Sequence, residues 1–180
     1  MRRWSLVVVA SLVALVPSGA LEAQRPITLG VAGGVSVPQG NLSDGANTGW
    51  HALGTLALGT YMQPIGLRLD VAYNRFAFSD RVGTTTLGDG HQSIGSATLN
   101  ASYRLPMTNS PLSPYLIGGA GAYRSDCSLG TAACEAVTRF GWNAGLGARM
   151  RLLPFGTFIE ARYHRTRRSG YVPVTVGVML

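Results

Sequence analysis

From Ile27 onward the sequence alternates apolar residues with small or polar ones at every second position, and this period constrains the fold more than any other feature. Ile27, Leu29, Val31, Val35 and Val37 share one parity, while Thr28, Gly30, Ala32, Gly34 and Ser36 share the other. The last stretch repeats the pattern: Val172, Val174, Val176, Val178 and Leu180 oppose Pro173, Thr175, Gly177 and Met179. Successive side chains of a strand point to opposite faces, so each stretch reads as a two-faced β-strand. Six further segments behave alike, at about Trp50–Tyr61, Gly66–Phe78, Gln92–Leu105, Tyr115–Arg124, Thr138–Leu152 and Thr157–Thr166. The connections at 62–65, 106–113 and 153–156 are tight. Those at 38–49, 79–91, 125–137 and 167–170 are polar and mostly longer. The expected fold is all-β, an eight-stranded antiparallel up-and-down barrel with short turns at one end and longer loops at the other.

The first 23 residues read as a cleaved signal peptide. Arg2 and Arg3 precede the apolar run Leu6–Val16, which Pro17 ends, and small residues follow. The run is too short to span a bilayer as a helix, which needs ~20 residues. Cleavage before Gln24, favoured over cleavage before Leu21, leaves residues 24–180 as one barrel domain with 13 arginines against 7 acids, a charge of +6. No later stretch approaches 18 consecutive apolar residues. If the mature chain enters a membrane, a closed barrel is the remaining way to satisfy every backbone hydrogen bond in lipid.

Composition and charge placement orient the faces. Only 13% of residues are charged, against about 25% in soluble domains. Glycine reaches 24 of 180, unsuitable for a long-helix protein because an interior glycine weakens a helix by about 1 kcal/mol. In the third, fourth, sixth and seventh segments the charges, apart from Arg75 and Arg165 near the strand ends, keep to one parity: Arg68 and Asp70, then Arg104, then Arg139, Arg149 and Arg151, then Glu160 and Arg162. The opposite parity is apolar. A soluble lipocalin-like barrel would turn that apolar face inward, whereas a transmembrane barrel turns it to lipid. Two observations favour apolar-out. The candidate interior is small or pairable, and the aromatic residues Tyr73, Tyr103, Phe140, Trp142, Tyr163 and Tyr171 stand near strand ends, where membrane interfaces collect amphipathic rings. Glycines 30, 34, 141, 145, 147 and 177 fall on the inward parity, where a narrow barrel needs room. The second and fifth segments carry small residues on both parities, so their facing stays open.

The terminal run from Val172 to Leu180, in which Gly177 is followed by Val178 and a C-terminal Leu180, resembles the last strand of outer membrane barrel proteins. Leu180 departs from the aromatic residue usual there. The run from Pro114 to Tyr123 looks like the proline-led, glycine-rich strand common in the same proteins. By the order of signal, eight strands and terminal strand, the mature chain resembles the broad OmpA/OmpX-like outer membrane β-barrel family. The resemblance implies export through the Sec pathway, residence in the cell outer membrane of a Gram-negative envelope, and contact with outer membrane lipid or lipopolysaccharide. It implies that Gly177, Val178 and Leu180 form an assembly signal read by the barrel assembly machinery, with periplasmic chaperones acting during biogenesis. It implies a non-enzymatic envelope-structural or surface-interaction role for a monomer that uses no cofactor and binds no nucleic acid.

Few residues carry chemistry. Cys127 and Cys134 enclose six residues, and in an oxidising compartment such a pair forms a disulfide. Arg68, Arg104, Arg139, Arg149, Arg151 and Arg162 share the inward parity with Asp70 and Glu160. Eight strands leave a lumen just wide enough for side chains to fill, so these residues are expected to form a charge network that plugs it. Arg75 and Arg165 end matching runs, Leu69-Asp-Val-Ala-Tyr-Asn-Arg75 and Ile159-Glu-Ala-Arg-Tyr-His-Arg165, on the lipid-facing parity. With Arg167 and Arg168 they are candidate contacts for lipid phosphates at the outer rim. His164 raises the alternative of a lipid A-modifying, deacylase-like barrel enzyme. Thr166 stands where such enzymes carry a serine, and Glu160 lies about 13 Å along the strand at ~3.3 Å per residue, too far to orient the imidazole. His51 and His91 form no metal-ligand spacing.

Overall fold

Each alternating segment forms a strand, and each strand pairs with its neighbours in sequence. The structure, a computed structural model, describes residues 27–58, 64–78, 81–82, 85–86, 90–106, 111–129, 132–133, 135–152 and 155–180. The signal segment and its cleavage site lie outside the described residues. The barrel strands are β1 (Ile27–Gln39), β2 (Gly49–Leu58), β3 (Ile65–Ala77), β4 (Gly90–Arg104), β5 (Leu112–Leu129), β6 (Val137–Leu152), β7 (Phe155–Thr166) and β8 (Gly170–Met179). Every consecutive pair is antiparallel, and β1 also pairs with β8 from Gly30↔Met179 to Gln39↔Gly170. The ring therefore closes as an up-and-down barrel of eight strands. Closure removes the unpaired edges that an open sheet would present.

The faces follow parity. Along β3, Arg68, Asp70, Asn74 and Phe76 are buried while Leu67, Leu69, Val71, Tyr73 and Arg75 are exposed. The exposed set continues around the barrel through Val31, Leu99, Leu116, Leu146, Ile159 and Val176. An uninterrupted apolar exterior around a polar interior is the reverse of a soluble barrel. The two strands that sequence left open now have a facing: β2 turns His51, Leu53 and Thr55 inward, and β5 turns Tyr115, Ile117 and Tyr123 inward.

Three expectations are corrected. Tyr171 is not part of an interfacial belt; it is wholly buried in the lumen. It shares the parity of Pro173 and Thr175, and parity outweighs nearness to a strand end. The fifth strand is longer than its apolar pattern, running from Leu112 to Leu129. Its polar continuation pairs with an equally polar β4, through Gln92↔Cys127 and Gly90↔Leu129. Cys127 and His91 accordingly stand on strands and not in loops. The first long loop is partly structured: Gly40–Leu42 forms one 3-10 turn, entered by Gly40 at φ 56, and Leu42 and Ala46 are buried. They close over Phe76, Ile94, Tyr123 and Tyr171 as an apolar cluster at the long-loop end of the lumen.

Candidate functional site

Mid-barrel, four inward side chains from β3 and β7 form a closed ionic ring. Arg68 Nε lies 2.9 Å from Asp70, and Arg68 Nη2 donates to Glu160 Oε1 at 2.9 Å. Arg162 Nη1 donates to Asp70 Oδ2 at 2.8 Å, and Arg162 Nε lies 2.5 Å from Glu160 Oε1. Each acid thus meets both arginines, and the set is neutral. All four are buried, and buried charges persist only when paired and hydrogen-bonded. Neighbouring strands add neutral partners. Asn100 on β4 donates to Asp70 Oδ2 at 3.0 Å and accepts from Asn143 of β6 at 2.8 Å. Tyr115 on β5 donates its hydroxyl to Glu160 Oε2 at 2.6 Å.

A second polar layer lies nearer the long loops. Ser36 donates to Asn74 Oδ1 at 2.7 Å, and His51 Nε2 bonds Thr175 Oγ1 at 2.8 Å. Tyr123 Oη and His164 Nδ1 are 3.0 Å apart, and the His164 ring stacks on Tyr171 with centroids 4.9 Å apart.

Of the eight expected lumen charges, the structure brings Arg68, Asp70, Glu160 and Arg162 together. Arg104 and Arg149 line a cavity at the short-turn end. Arg139 lies toward the long loops, opposite Tyr123 in the β5–β6 register. Arg151 is on β6, with its side chain outside the description. Sequence reasoning missed Tyr115 and Tyr123; parity puts Asn100 and Asn143 inward without joining them to the charges. Glycine was the available signal for the first of these: Tyr115 registers against Gly147, the vacancy an inward ring requires.

On the exterior, two matching clusters mark the long-loop rim. Trp50 on β2 registers with Arg75 on β3, and its ring lies 5.7 Å from Tyr73. Trp142 on β6 registers with Arg165 on β7, and its ring lies 5.8 Å from Tyr163. In an eight-membered ring, β2/β3 and β6/β7 are diametrically opposed. Arg75 also reaches His91 Nδ1 at 3.3 Å. Arg167 and Arg168, just beyond β7, are exposed.

The sequence matches the outer membrane protein beta-barrel domain over residues 8–179. The chain belongs to that family. Among solved structures, the barrel resembles Ail, the attachment invasion locus protein of Yersinia pestis, at a TM-score of 0.57 and 17% identity, covering 85% of this chain and 95% of Ail. It resembles Neisserial surface protein A, NspA, at a TM-score of 0.59 and 17% identity, covering 86% of this chain and 96% of NspA. Ail in complex with the heparin analogue sucrose octasulfate matches at a TM-score of 0.54 and 17% identity, covering 85% of this chain and 94% of the other. At these identities the likeness is one of fold. No curated protein matches the chain in sequence.

Within this family member, His164 is engaged on one edge by Tyr123 and covered on one face by Tyr171. Thr166, two positions on, accepts a hydrogen bond from the Ser169 amide at 3.0 Å. Among the described residues, no group of three or more His, Cys, Asp or Glu side chains could hold a metal ion. Cys127 is half-buried on β5, and Cys134 lies outside the described residues.

Proposed function

We propose that this chain is a non-enzymatic integral protein of the outer membrane, exported by its N-terminal signal peptide. Its role is envelope-structural or one of surface interaction, and its lumen is closed by its own side chains. The terminal strand with Gly177, Val178 and Leu180 serves as the assembly signal for the barrel assembly machinery, with periplasmic chaperones holding the chain beforehand. The observation that carries the surface role is the pair of Trp–Tyr–Arg clusters on opposite sides of the long-loop rim. Tryptophan and tyrosine favour the headgroup level. An arginine beside them sits where its membrane penalty falls to ~0–1 kcal/mol and where its planar fork can grip a phosphate. Arg75 and Arg165, extended by Arg167 and Arg168, are thus assigned to phosphates of lipopolysaccharide or related outer-leaflet lipid. The Ail complex with sucrose octasulfate gives a precedent for polyanion binding on a barrel of this fold.

The test is lipid co-purification. Wild-type protein extracted in mild detergent should carry lipopolysaccharide, and Arg75→Ala/Arg165→Ala should carry several-fold less while still migrating as a folded, heat-modifiable barrel. Equal lipid content in the two preparations would refute the assignment.

A further inference from the structure

Asp70 and Glu160 are committed to the central ring, and below it, toward the short turns, the lumen opens into a cavity of about 250 Å³. Arg68, Arg104, Arg149, Ser102, Ser113 and Tyr115 line it, and among the described residues no carboxylate does. Arg68 forms the roof: its Nε and Nη2 face the acids, while its buried Nη1 has no hydrogen-bond partner among the described residues. Arg149 Nε is likewise buried and unpartnered among them. The Arg149 guanidinium lies 5.0 Å from the Tyr115 ring centroid, and Tyr115 is fixed in turn by Glu160. This chain of contacts holds Arg149 in place.

We propose that this cavity binds a phosphate-type oxyanion. A buried guanidinium N–H lacking an acceptor is costly, and the two residues that carry such donors line, with Arg104, a space far larger than the ~30 Å³ share of one water. A tetrahedral oxyanion supplies several acceptor oxygens at once. Planar guanidinium groups meet it with paired, charge-assisted hydrogen bonds, a match that a spherical halide does not offer. The Ser113 hydroxyl is an added polar group on the wall. The site lies at the end of the barrel opposite the rim arginines and does not depend on them. With the short turns facing the periplasm, as in barrels of this family, its ligand comes from that side, as a free phosphate or as the headgroup of a phosphorylated glycerolipid.

The experiment is a titration of the full barrel, folded in detergent, with inorganic phosphate and with glycerol phosphate, following the Arg149 Nε–H resonance. Chloride at equal ionic strength is the control. The expected result is a saturable shift with phosphate and none with chloride, and at least tenfold weaker binding in Arg149→Gln. Tighter binding of glycerol phosphate assigns the headgroup source; equal or weaker binding assigns free phosphate. Arg104→Gln is the second variant should Arg149→Gln lose its folded migration on a heat-modifiability gel. Non-saturable responses that chloride reproduces, or wild-type affinity in the folded variants, would overturn the proposal.

Discussion

Tyr115 and Gly147 face each other across β5 and β6, and a side chain on Gly147 would begin 2.5 Å from the Tyr115 ring. The absence of a Cβ at one residue is therefore what lets the other reach Glu160. A single methyl group at this site must displace either the ring or the strand, and overpacking of this kind costs ~1–3 kcal/mol. Gly147→Ala should lower barrel stability by about that much in reversible denaturant titrations in lipid vesicles. It should also weaken the Tyr115–Glu160 hydrogen bond. Wild-type stability with an unmoved Tyr115 resonance would show that the ring has slack the structure does not suggest.

The central ring predicts a non-additive mutant cycle. Removing one charge leaves its two former partners buried and unbalanced, which costs ~3–5 kcal/mol. Asp70→Asn should destabilise the barrel by that order. Adding Arg162→Met to it restores neutrality, so the double variant should lose clearly less than the sum of the two single losses. Additivity would mean that the four groups do not act as a unit. For the proposed closure of the lumen, wild-type protein in planar bilayers should show no discrete conductance steps. A steady, anion-selective step would disprove the plug.

The inside-out arrangement makes a depth-dependent prediction. Val71 and Leu99 are each 59% exposed at the middle of the apolar band, whereas Arg75 stands four residues from Val71 along β3 toward the rim. An arginine at the bilayer midplane costs ~2–4 kcal/mol. Leu99→Arg should therefore destabilise the folded barrel in lipid by about that amount, while Arg75→Leu should change stability little. If Leu99→Arg were neutral in bilayers, the exterior would not be facing hydrocarbon.

Much of this layout was legible in the chain. β3, β6 and β7 could be oriented because the arginines and acids away from the rim keep one parity, and charge is the least ambiguous marker of a lumen face. β2 and β5 could not, since runs such as Gly118-Gly119-Ala120-Gly121-Ala122 are small on both parities. There the few bulky residues decide: Tyr115, Ile117 and Tyr123 share one parity and go inward. Tyr171 shows the opposite error, where an aromatic near a strand end suggested an interface although Pro173 and Thr175 on its own parity pointed to the interior. The selection of partners among inward charges was not legible at all. Arg68 and Arg162 reach Asp70 and Glu160 because the shear of the barrel brings β3 and β7 face to face at one height. Arg104 and Arg149 start at another height, toward the short turns, and line the cavity there.

Cys127 opposes Gln92 near the loop end of β5, and Ser128 and Leu129 pair back onto Ala133 and Ala132. The chain therefore reverses direction between Leu129 and Ala132. An oxidising compartment would couple Cys127 to Cys134, and closing a short loop stabilises by ~3 kcal/mol or less in the chain-entropy account. Because this hairpin projects beyond the ionic ring, the bond should stiffen the loop more than it stabilises the barrel. Intact-mass analysis of unreduced mature protein should find no alkylatable thiol. Cys127→Ser/Cys134→Ser should keep the wild-type unfolding midpoint within a few tenths of a molar denaturant while becoming more sensitive to protease in the loop at 130–136. Two free thiols in protein isolated from the envelope would refute the pairing.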